Sequence, residues 1–299
     1  MIKRTILISN PAYLAKQNSQ LKVSYPNETT EGKSVPIEDI GILILDNSQI
    51  TLTQSLLLAL NQNNVAILNC NQKHLPEALM LPMTGHHTYT EKVKKQLKAS
   101  VPLKKNLWRQ TVISKINNQA AVLYWIGADA KRLTYLSRQV RSGDPDNVEG
   151  RAAFQYWSLL FDDTPKFKRH RFGDAPNNLL NYGYAILRSV IARSLVASGM
   201  LPAMGIHHRN KYNPFCLADD IMEPYRPYVD KLVMQICESI KDVEELTMEL
   251  KRQLLSIPVL DVFINGEKSP LMVAAGRTAA SLMQCFEGMN RKILYPEMD

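Results

Sequence analysis

A change in hydrophobic periodicity near residue 80 limits what this chain can fold into more than any other feature. Before it, short β-rich runs such as RTILIS, LKVSYP and GILILD alternate with turn residues, and one helical run, TQSLLLALNQNN, precedes a last strand, VAILNC. After it, long stretches with a 3.6-residue repeat dominate, and they predict helices at 91–115, 117–139, 147–162, 177–198, 215–240, 241–256 and 270–293.

The pattern predicts an α+β fold in which a small N-terminal β-sheet domain is followed by a larger all-α C-terminal domain. Prolines, a glycine and polar residues in LPEALMLPMTGHHTYT mark the connection between them. We assign residues 1–80 to the β-rich domain, 81–90 to the linker and 91–299 to the helical domain. A chain of 299 residues is long enough for two such domains.

The net positive charge of the chain falls on the second domain. The net charge of the chain is +8, but residues 1–90 hold six basic and six acidic side chains, so the whole excess falls on residues 91–299. A polyanion would therefore bind to the helical domain, whereas the neutral sheet domain is better suited to protein contacts.

The cysteine pattern and the hydropathy exclude several classes of protein. Cys70, Cys216, Cys237 and Cys285 lie far apart and form no CxxC pair, which argues against a zinc ribbon or a disulfide framework and favours a reducing, cytoplasmic compartment. The N-terminal apolar run is too short for a signal-peptide core. The segment YAILRSVIARSLVASGM contains two arginines, so we expect a buried helix and no membrane partner.

One stretch, LPAMGIHHRNKYNPFCLADDIMEPYRPYVD, gathers nitrogen and oxygen ligands. His207 and His208 lie between Gly205 and a proline, which predicts a turn, and a helix resumes at Cys216. Asp220 and Glu223 are three positions apart and so share a face of that helix. Carboxylates on one face repel unless a cation lies between them, so the stretch is a candidate metal site. The alternative is that the acids only complement a helix dipole.

A further acidic candidate opens the helix in DPDNVEGRAAFQYW. Glu149 follows Asp146 at the spacing of a capping box, in which its carboxylate would reach back to the backbone of Asp146. The structural and the catalytic interpretations of Glu149 both remain open at this point.

Basic residues interleaved with aromatic ones form the segment KFKRHRF. Cationic side chains neutralise phosphates and aromatic rings stack or anchor a loop, so the segment is a candidate DNA-binding loop. Its basic members are Lys166, Lys168, Arg169 and Arg171. The alternative is a solvated loop, in which case KKNLWRQ and KRLTYLSRQVR are the next candidates.

The order of three motifs, VEGRAAFQYW, LLNYGYAILRSVIARSLVASGMLPAMGIHH and LADDIMEPYRPYVD, resembles the CRISPR-associated integrase and endonuclease family, Cas1, in its type II, Cas9-linked branch. The resemblance extends to VPIEDIGILILDNSQITLT in the sheet domain. It implies a metal-dependent enzyme that inserts foreign DNA fragments, or spacers, into a CRISPR array. Carried over motif by motif, it implies catalytic metal ligands at Glu149, His208 and Glu223, with His207 beside the motif position and Asp220 as a candidate supporting ligand.

Two carboxylates and one imidazole suit Mg²⁺ or Mn²⁺ better than Zn²⁺. No covalent nucleophile stands in the motifs, so direct transesterification by a 3′-hydroxyl is expected. The resemblance implies as partners double-stranded DNA, a second copy of the chain bound through the sheet domain, a Cas2 dimer as scaffold, and other type II adaptation proteins including Cas9. Two alternatives remain: a non-catalytic scaffold that captures DNA, and a zinc hydrolase of small substrates.

Overall fold

The chain divides into two compact units, residues 1–87 and 88–299. The structure is a computed structural model that describes residues 2–26, 32–83, 85–161, 167–170 and 173–298. The boundary between the units falls at His87 and Thr88, within the segment assigned above as the linker.

The N-terminal unit is built from eight short strands and one helix among its described residues. They are β1 (Arg4–Ile8), β2 (Ala12–Gln17), β3 (Gln20–Ser24), β4 (Lys33–Pro36), β5 (Ile40–Leu45), β6 (Ile50–Leu52), α1 (Gln54–Gln62), β7 (Ala66–Cys70) and β8 (Pro76–Met80). The predicted strand runs and the helix appear as expected, except that the predicted run SVPIEDI is a strand only as far as Pro36 and continues as a 3₁₀ turn, Ile37–Asp39. The short strands β6 and β8 were not predicted.

The strands form two four-stranded sheets with the orders β1-β5-β7-β8 and β4-β3-β2-β6. Strands β1, β5 and β7 pair in parallel, and β5 is buried along its whole length, which explains its uninterrupted apolar run IGILIL. Strands β2 and β3 are joined by Asn18 and Ser19, both with positive φ, as a tight hairpin requires. Apolar side chains from both sheets and from α1 form one core cluster.

The C-terminal unit is mostly helical. Its helices are α2 (Tyr89–Lys98), α3 (Val101–Trp125), α4 (Lys131–Gln139), α5 (Val148–Leu160), α6 (Asn177–Ala197), α7 (Cys216–Met222), α8 (Arg226–Ser239), α9 (Met248–Leu254) and α10 (Leu271–Glu287). A 3₁₀ turn, Glu223–Tyr225, separates α7 from α8. The α+β class is confirmed, and the helical unit also contains a small sheet of strands β9 (Asp261–Ile264), β10 (Glu267–Pro270) and β11 (Pro296–Glu297) that was not predicted.

Several predicted helix bounds are wrong, and local chemistry explains the differences. The predicted helices 91–115 and 117–139 are three helices, because Ser100 caps a new helix by accepting a hydrogen bond from Leu103 and Pro102 suits only a first turn. Gly127, at φ 77°, then follows the end of α3. The predicted helix 215–240 is interrupted at Pro224, where the chain tightens into the 3₁₀ turn.

Two long helices organise the C-terminal unit. Helix α6 is buried along most of its length and packs against α7, α8, α9 and α10, while α3 packs against α4, α5, α8 and the 3₁₀ turn. Gly183 of α6 allows close approach to α8, since a Cβ atom there would lie 2.6 Å from a methyl group of Val229. No helix within the described ranges is long and apolar enough to cross a membrane.

Candidate functional site

Two acidic side chains from distant parts of the C-terminal unit meet at one lysine. Glu149 lies in the first turn of α5, and Glu223 begins the 3₁₀ turn after α7. The Nζ atom of Lys115, in the middle of α3, forms ion pairs with Oε1 of Glu149 and with Oε2 of Glu223, the second at 2.5 Å. The structure therefore brings two of the three predicted ligands together with a cation between them.

The start of α5 is capped by residues other than Glu149. The Asp144 carboxylate accepts hydrogen bonds from the backbone N–H groups of Val148 and Glu149, both at 2.9 Å. Asn147, the N-cap residue, adopts a left-handed conformation and accepts a hydrogen bond from the Gly150 N–H group. These contacts satisfy the N-terminal donors of the helix and leave the Glu149 carboxylate available to Lys115.

The capping-box interpretation of Glu149 is wrong. Asp146, which that interpretation makes the cap, forms an exposed ion pair with Arg141 at 2.7 Å. Asn147 is the N-cap residue, and the Glu149 carboxylate contacts Lys115 on another helix.

Glu223 is a buried side chain whose carboxylate is ionised. Burial alone would raise its pKa, but the positive charges of Arg226 and Lys115 outweigh burial and lower the pKa to about 2. Arg226 lies one turn further along and its Nε atom donates to Oε1 of Glu223 at 2.9 Å. For Lys115, burial lowers the pKa, and the charges of Glu223 and Glu149 raise it by more, so the side chain stays an ammonium ion.

The loop that carries both histidines folds around the carboxylate of Asp220, which is fully buried. This carboxylate accepts hydrogen bonds from the backbone N–H groups of Ile206, His207 and His208 at 2.7, 2.9 and 3.2 Å. It also lies 2.5 Å from Nδ1 of His208. Because a carboxylate only accepts, Nδ1 carries the proton, and Nε2 is the ring nitrogen left for a metal. The predicted turn is confirmed.

The two histidines differ in their surroundings. The His207 ring stacks on the indole of Trp108, with the ring centres 4.1 Å apart and the planes within 4°. Burial and the neighbouring His208 lower the pKa of His207. The hydrogen bond to Asp220 raises the pKa of His208 despite its partial burial, and the charge of Glu223 contributes to the same increase. The His208 ring is thus held by a carboxylate, whereas the His207 ring is held by an aromatic side chain.

The donor set fits a hard divalent cation, although the side chains are not gathered as a finished metal site. Within the described part of the chain, no three His, Cys, Asp or Glu side chains lie close enough to hold one metal ion. Two carboxylates, however, already share one positive charge, and the charge of one of them, Glu223, acts on His208, an imidazole with a fixed tautomer. Oxygen and imidazole donors of this kind suit Mg²⁺ or Mn²⁺.

An open cavity of about 390 Å³ adjoins the carboxylates. Its walls combine the acid–lysine cluster with aromatic and cationic side chains, of which only Arg169 was singled out from the sequence. The lining residues include Lys115, Glu149, Glu223, Trp157, Arg169, His170, Tyr184 and Arg226. A cavity with this lining can hold a phosphodiester next to an aromatic surface.

A buried network holds Arg226 in place behind Glu223. The Asp230 carboxylate accepts hydrogen bonds from the hydroxyl groups of Tyr156, at 3.0 Å, and Tyr184, at 2.5 Å. The Arg226 guanidinium lies 4.5 Å from the centre of the Tyr184 ring. Only the three-residue spacing of Glu223 and Arg226 could have pointed to this network from the sequence.

The predicted DNA-binding loop is only partly described. Lys166 and Arg171 lie outside the described residues. Lys168 is exposed. Arg169 donates hydrogen bonds to the side chains of Asn177, at 2.9 Å, and Asn181, at 2.7 Å, which ties the loop to α6.

Comparison with known proteins identifies the family. The sequence model of the family described as CRISPR associated protein Cas1 matches residues 5–245. The chain belongs to the Cas1 family. A curated CRISPR-associated endonuclease Cas1 from Neisseria meningitidis serogroup C (strain 8013) is 38% identical over 296 residues, covering 98% of this chain and 95% of that protein.

Solved structures share the fold. A casposase bound to its integration product superposes with a TM-score of 0.80 at 19% identity, covering 98% of this chain and 92% of that one. A Cas1-containing chain of a Cas6-RT-Cas1–Cas2 complex gives a TM-score of 0.76 at 18% identity over 98% of this chain and 36% of that one. Membership of the family of CRISPR-associated Cas1 proteins, expected from the motifs, is confirmed by the family model and by the 38% identical relative.

Proposed function

We propose that this chain is a metal-dependent integrase that joins DNA fragments to a CRISPR array by transesterification, with Glu149, His208 and Glu223 as metal ligands. The observation that carries the proposal is the meeting of two carboxylates, from α5 and from the 3₁₀ turn, at one positive charge. The His208 ring is oriented by Asp220, and the charge of Glu223 acts on it. The 38% identical relative is named an endonuclease, which is consistent with chemistry on phosphodiesters.

Each site residue has a definable task in this proposal. Glu149 and Glu223 supply the anionic oxygens, and Asp220 fixes the His208 ring so that Nε2 completes the set. When bound, Mg²⁺ or Mn²⁺ would polarise the phosphodiester and stabilise charge on the departing oxygen. Arg226 keeps Glu223 ionised and in place, and the adjoining cavity would hold the DNA strand.

The test is an integration assay with a labelled DNA fragment, supercoiled array DNA and either Mn²⁺ or Mg²⁺. We expect Glu149→Gln and His208→Ala to abolish joined product while leaving duplex binding intact. Asp146→Asn is the matched control, since this acid lies three residues from Glu149 but pairs with exposed Arg141. Full activity in both site variants would refute the assignment and favour a DNA-capturing scaffold. DNA-independent hydrolysis with bound zinc would favour the hydrolase.

We also propose that the chain pairs with a second copy through the N-terminal unit and assembles on a Cas2 dimer. The unit carries no net charge, and among its described residues β1 and β8 are the edge strands of one sheet. One chain with the same fold was solved as part of an assembly containing Cas2. Light scattering at micromolar concentration should give a dimer mass, and a monomer with and without DNA would refute pairing.

The type II branch, Cas9 as a further partner and a cytoplasmic location belong to the same proposal. Pull-down of the purified chain with Cas2 and with Cas9 tests these partners directly, and binding of neither would confine the proposal to the isolated integrase.

A further inference from the structure

We propose that Lys115 is a built-in counterion that occupies the cation position between Glu149 and Glu223 and must be displaced before a divalent metal ion can bind there. This inference rests on the proposed function in taking both carboxylates as metal ligands. It adds a residue that sets the metal affinity of the site.

The first support is the geometry of the ion pairs. One Nζ atom contacts an oxygen of each carboxylate, and its distance to Oε2 of Glu223 is 2.5 Å. A Mg²⁺ ion would need the same oxygens at about 2.0–2.1 Å. The ammonium group and the metal ion would therefore occupy the same position, and their positive charges would repel each other there.

The second support is burial. The Lys115 side chain is 10% exposed and that of Glu223 is 9% exposed, so water screens their charges little. Without Lys115, the negative charges of the Glu149 and Glu223 carboxylates would be less well compensated. Of these two acids, Glu223 is the one that forms an ion pair with Arg226. The lysine thus keeps the acids together while no metal is bound.

The third support is the reach of the lysine side chain. Lys115 lines the open cavity beside the carboxylates, so its flexible four-carbon chain has space to withdraw with its proton. Displacement moves a charge and transfers no proton. Because the two ion pairs must break before the metal ion binds, the free energy needed to break them weakens metal binding.

The experiment is Mn²⁺ titration of the full-length protein, with free Mn²⁺ followed by electron paramagnetic resonance and no DNA present. Lys115→Met should bind Mn²⁺ about tenfold more tightly than the wild type. This factor corresponds to the free energy of about one charge-assisted hydrogen bond, which Mn²⁺ no longer has to break. Lys115→Arg keeps the positive charge and should bind no more tightly than the wild type. Lys105→Met removes an exposed lysine from the same helix and should change nothing. Equal or weaker binding by Lys115→Met overturns the proposal, as does equally tightened binding by Lys115→Arg.

A second measurement does not depend on the folding of a variant. In crystals of the wild-type protein soaked in Mn²⁺, Nζ of Lys115 should lie beyond hydrogen-bond distance of both carboxylates. A metal ion bound by Glu149 and Glu223 while Nζ still bridges them overturns the proposal. Neither result depends on the integration assay, so a failure of the proposed function is distinguishable from a failure of this inference.

Discussion

The Nδ1 atom of His208 lies 2.5 Å from Oδ1 of Asp220, a carboxylate with no exposed surface. The same carboxylate accepts the backbone N–H groups of three successive residues, 206 to 208. Asp220 therefore both shapes the loop and fixes the tautomer of its histidine. Its role is that of a positioning residue, since its oxygens are already engaged by the loop.

The first prediction concerns this orientation. Asp220→Asn replaces one acceptor oxygen by a donor that faces N–H groups, so the loop and the His208 tautomer lose their fixed arrangement. We expect Mn²⁺ affinity to fall about 10- to 100-fold, the usual effect of removing a hydrogen-bond partner of a metal ligand. Asp261→Asn, in an exposed ion pair with Lys268, is the control. Unchanged Mn²⁺ affinity in Asp220→Asn would show that the ring is held by other contacts.

A second prediction concerns the close approach at Gly205. A Cβ atom there would lie 2.4 Å from the backbone oxygen of His208 and 2.8 Å from Oδ2 of Asp220. Gly205→Ala must therefore push the loop away from the carboxylate. We expect a loss of about 1–3 kcal/mol in unfolding free energy, the usual cost of overpacking, together with weaker Mn²⁺ binding.

The control for Gly205 is Gly276→Ala in α10, where a Cβ atom would meet nothing within 4 Å. An alanine inside a helix should stabilise the protein by about 0.5–1 kcal/mol. Chemical denaturation followed by tryptophan fluorescence measures both variants. Equal stability of Gly205→Ala and the wild type would show that the loop adapts without strain.

The sequence was most informative where one local pattern decided the structure. Strand β5 was predictable from GILILD, because a continuous apolar run suits a strand buried on both faces. The turn at His207 and His208 followed from Gly205 and Pro214. Strand β8 was hidden because it begins with Pro76 and is exposed at three of its five positions, so no alternating pattern appears.

The composition of the site could not be predicted in full for a physical reason. Glu149, His208 and Glu223 were predicted as ligands through motifs, but Lys115 is 34 positions from Glu149 and sits in a helix rich in polar residues. From the sequence alone, a lysine in such a helix is indistinguishable from a lysine on a solvent-exposed face. The packing of α3 against α5 and the 3₁₀ turn makes Lys115 a buried ion-pair partner of the two glutamates. Long-range ion pairs leave no mark in local periodicity.

A third prediction separates two basic residues of the predicted DNA-binding loop. Lys168→Ala removes an exposed charge and should weaken duplex binding for any sequence, with the slope of log affinity against log salt reduced by about 0.9 if one phosphate contact is lost. Arg169→Ala should also lower stability, since its guanidinium anchors the loop to Asn177 and Asn181.

Binding titrations at several salt concentrations, combined with thermal unfolding, measure both effects. Lys16→Ala, an exposed lysine of the neutral N-terminal unit, is the control for loss of one charge. Unaltered salt slopes for Lys168→Ala and for the fourfold variant that also replaces Lys166, Arg169 and Arg171 would exclude the loop from the DNA surface. The basic residues Lys104, Lys105, Arg109, Arg138 and Arg141 would then be examined.

The last prediction follows from the buried carboxylate of Asp230. Burial raises its pKa from 3.8 to about 6, although hydrogen bonds from Tyr184 and Tyr156 act in the opposite direction. Because the folded pKa lies above the unfolded one, this group contributes stability that is fully present below pH 3.8 and is lost as the pH rises through about 6. A difference of about two pKa units corresponds to about 3 kcal/mol.

The variant Asp230→Asn cannot ionise, and tyrosine hydroxyls can accept as well as donate, so the amide can be accommodated. We expect the unfolding free energy of the wild type to fall by about 2 kcal/mol relative to this variant between pH 4 and pH 7, because part of the total change occurs below pH 4. Trp108, Trp125 and Trp157 all lie in the C-terminal unit, so denaturation followed by tryptophan fluorescence reports on that unit alone. Asp261→Asn, which changes an exposed acid, should keep the wild-type dependence of unfolding free energy on pH. If wild type and Asp230→Asn show parallel pH dependences, Asp230 stays ionised throughout because Arg226 and Arg169 compensate its burial.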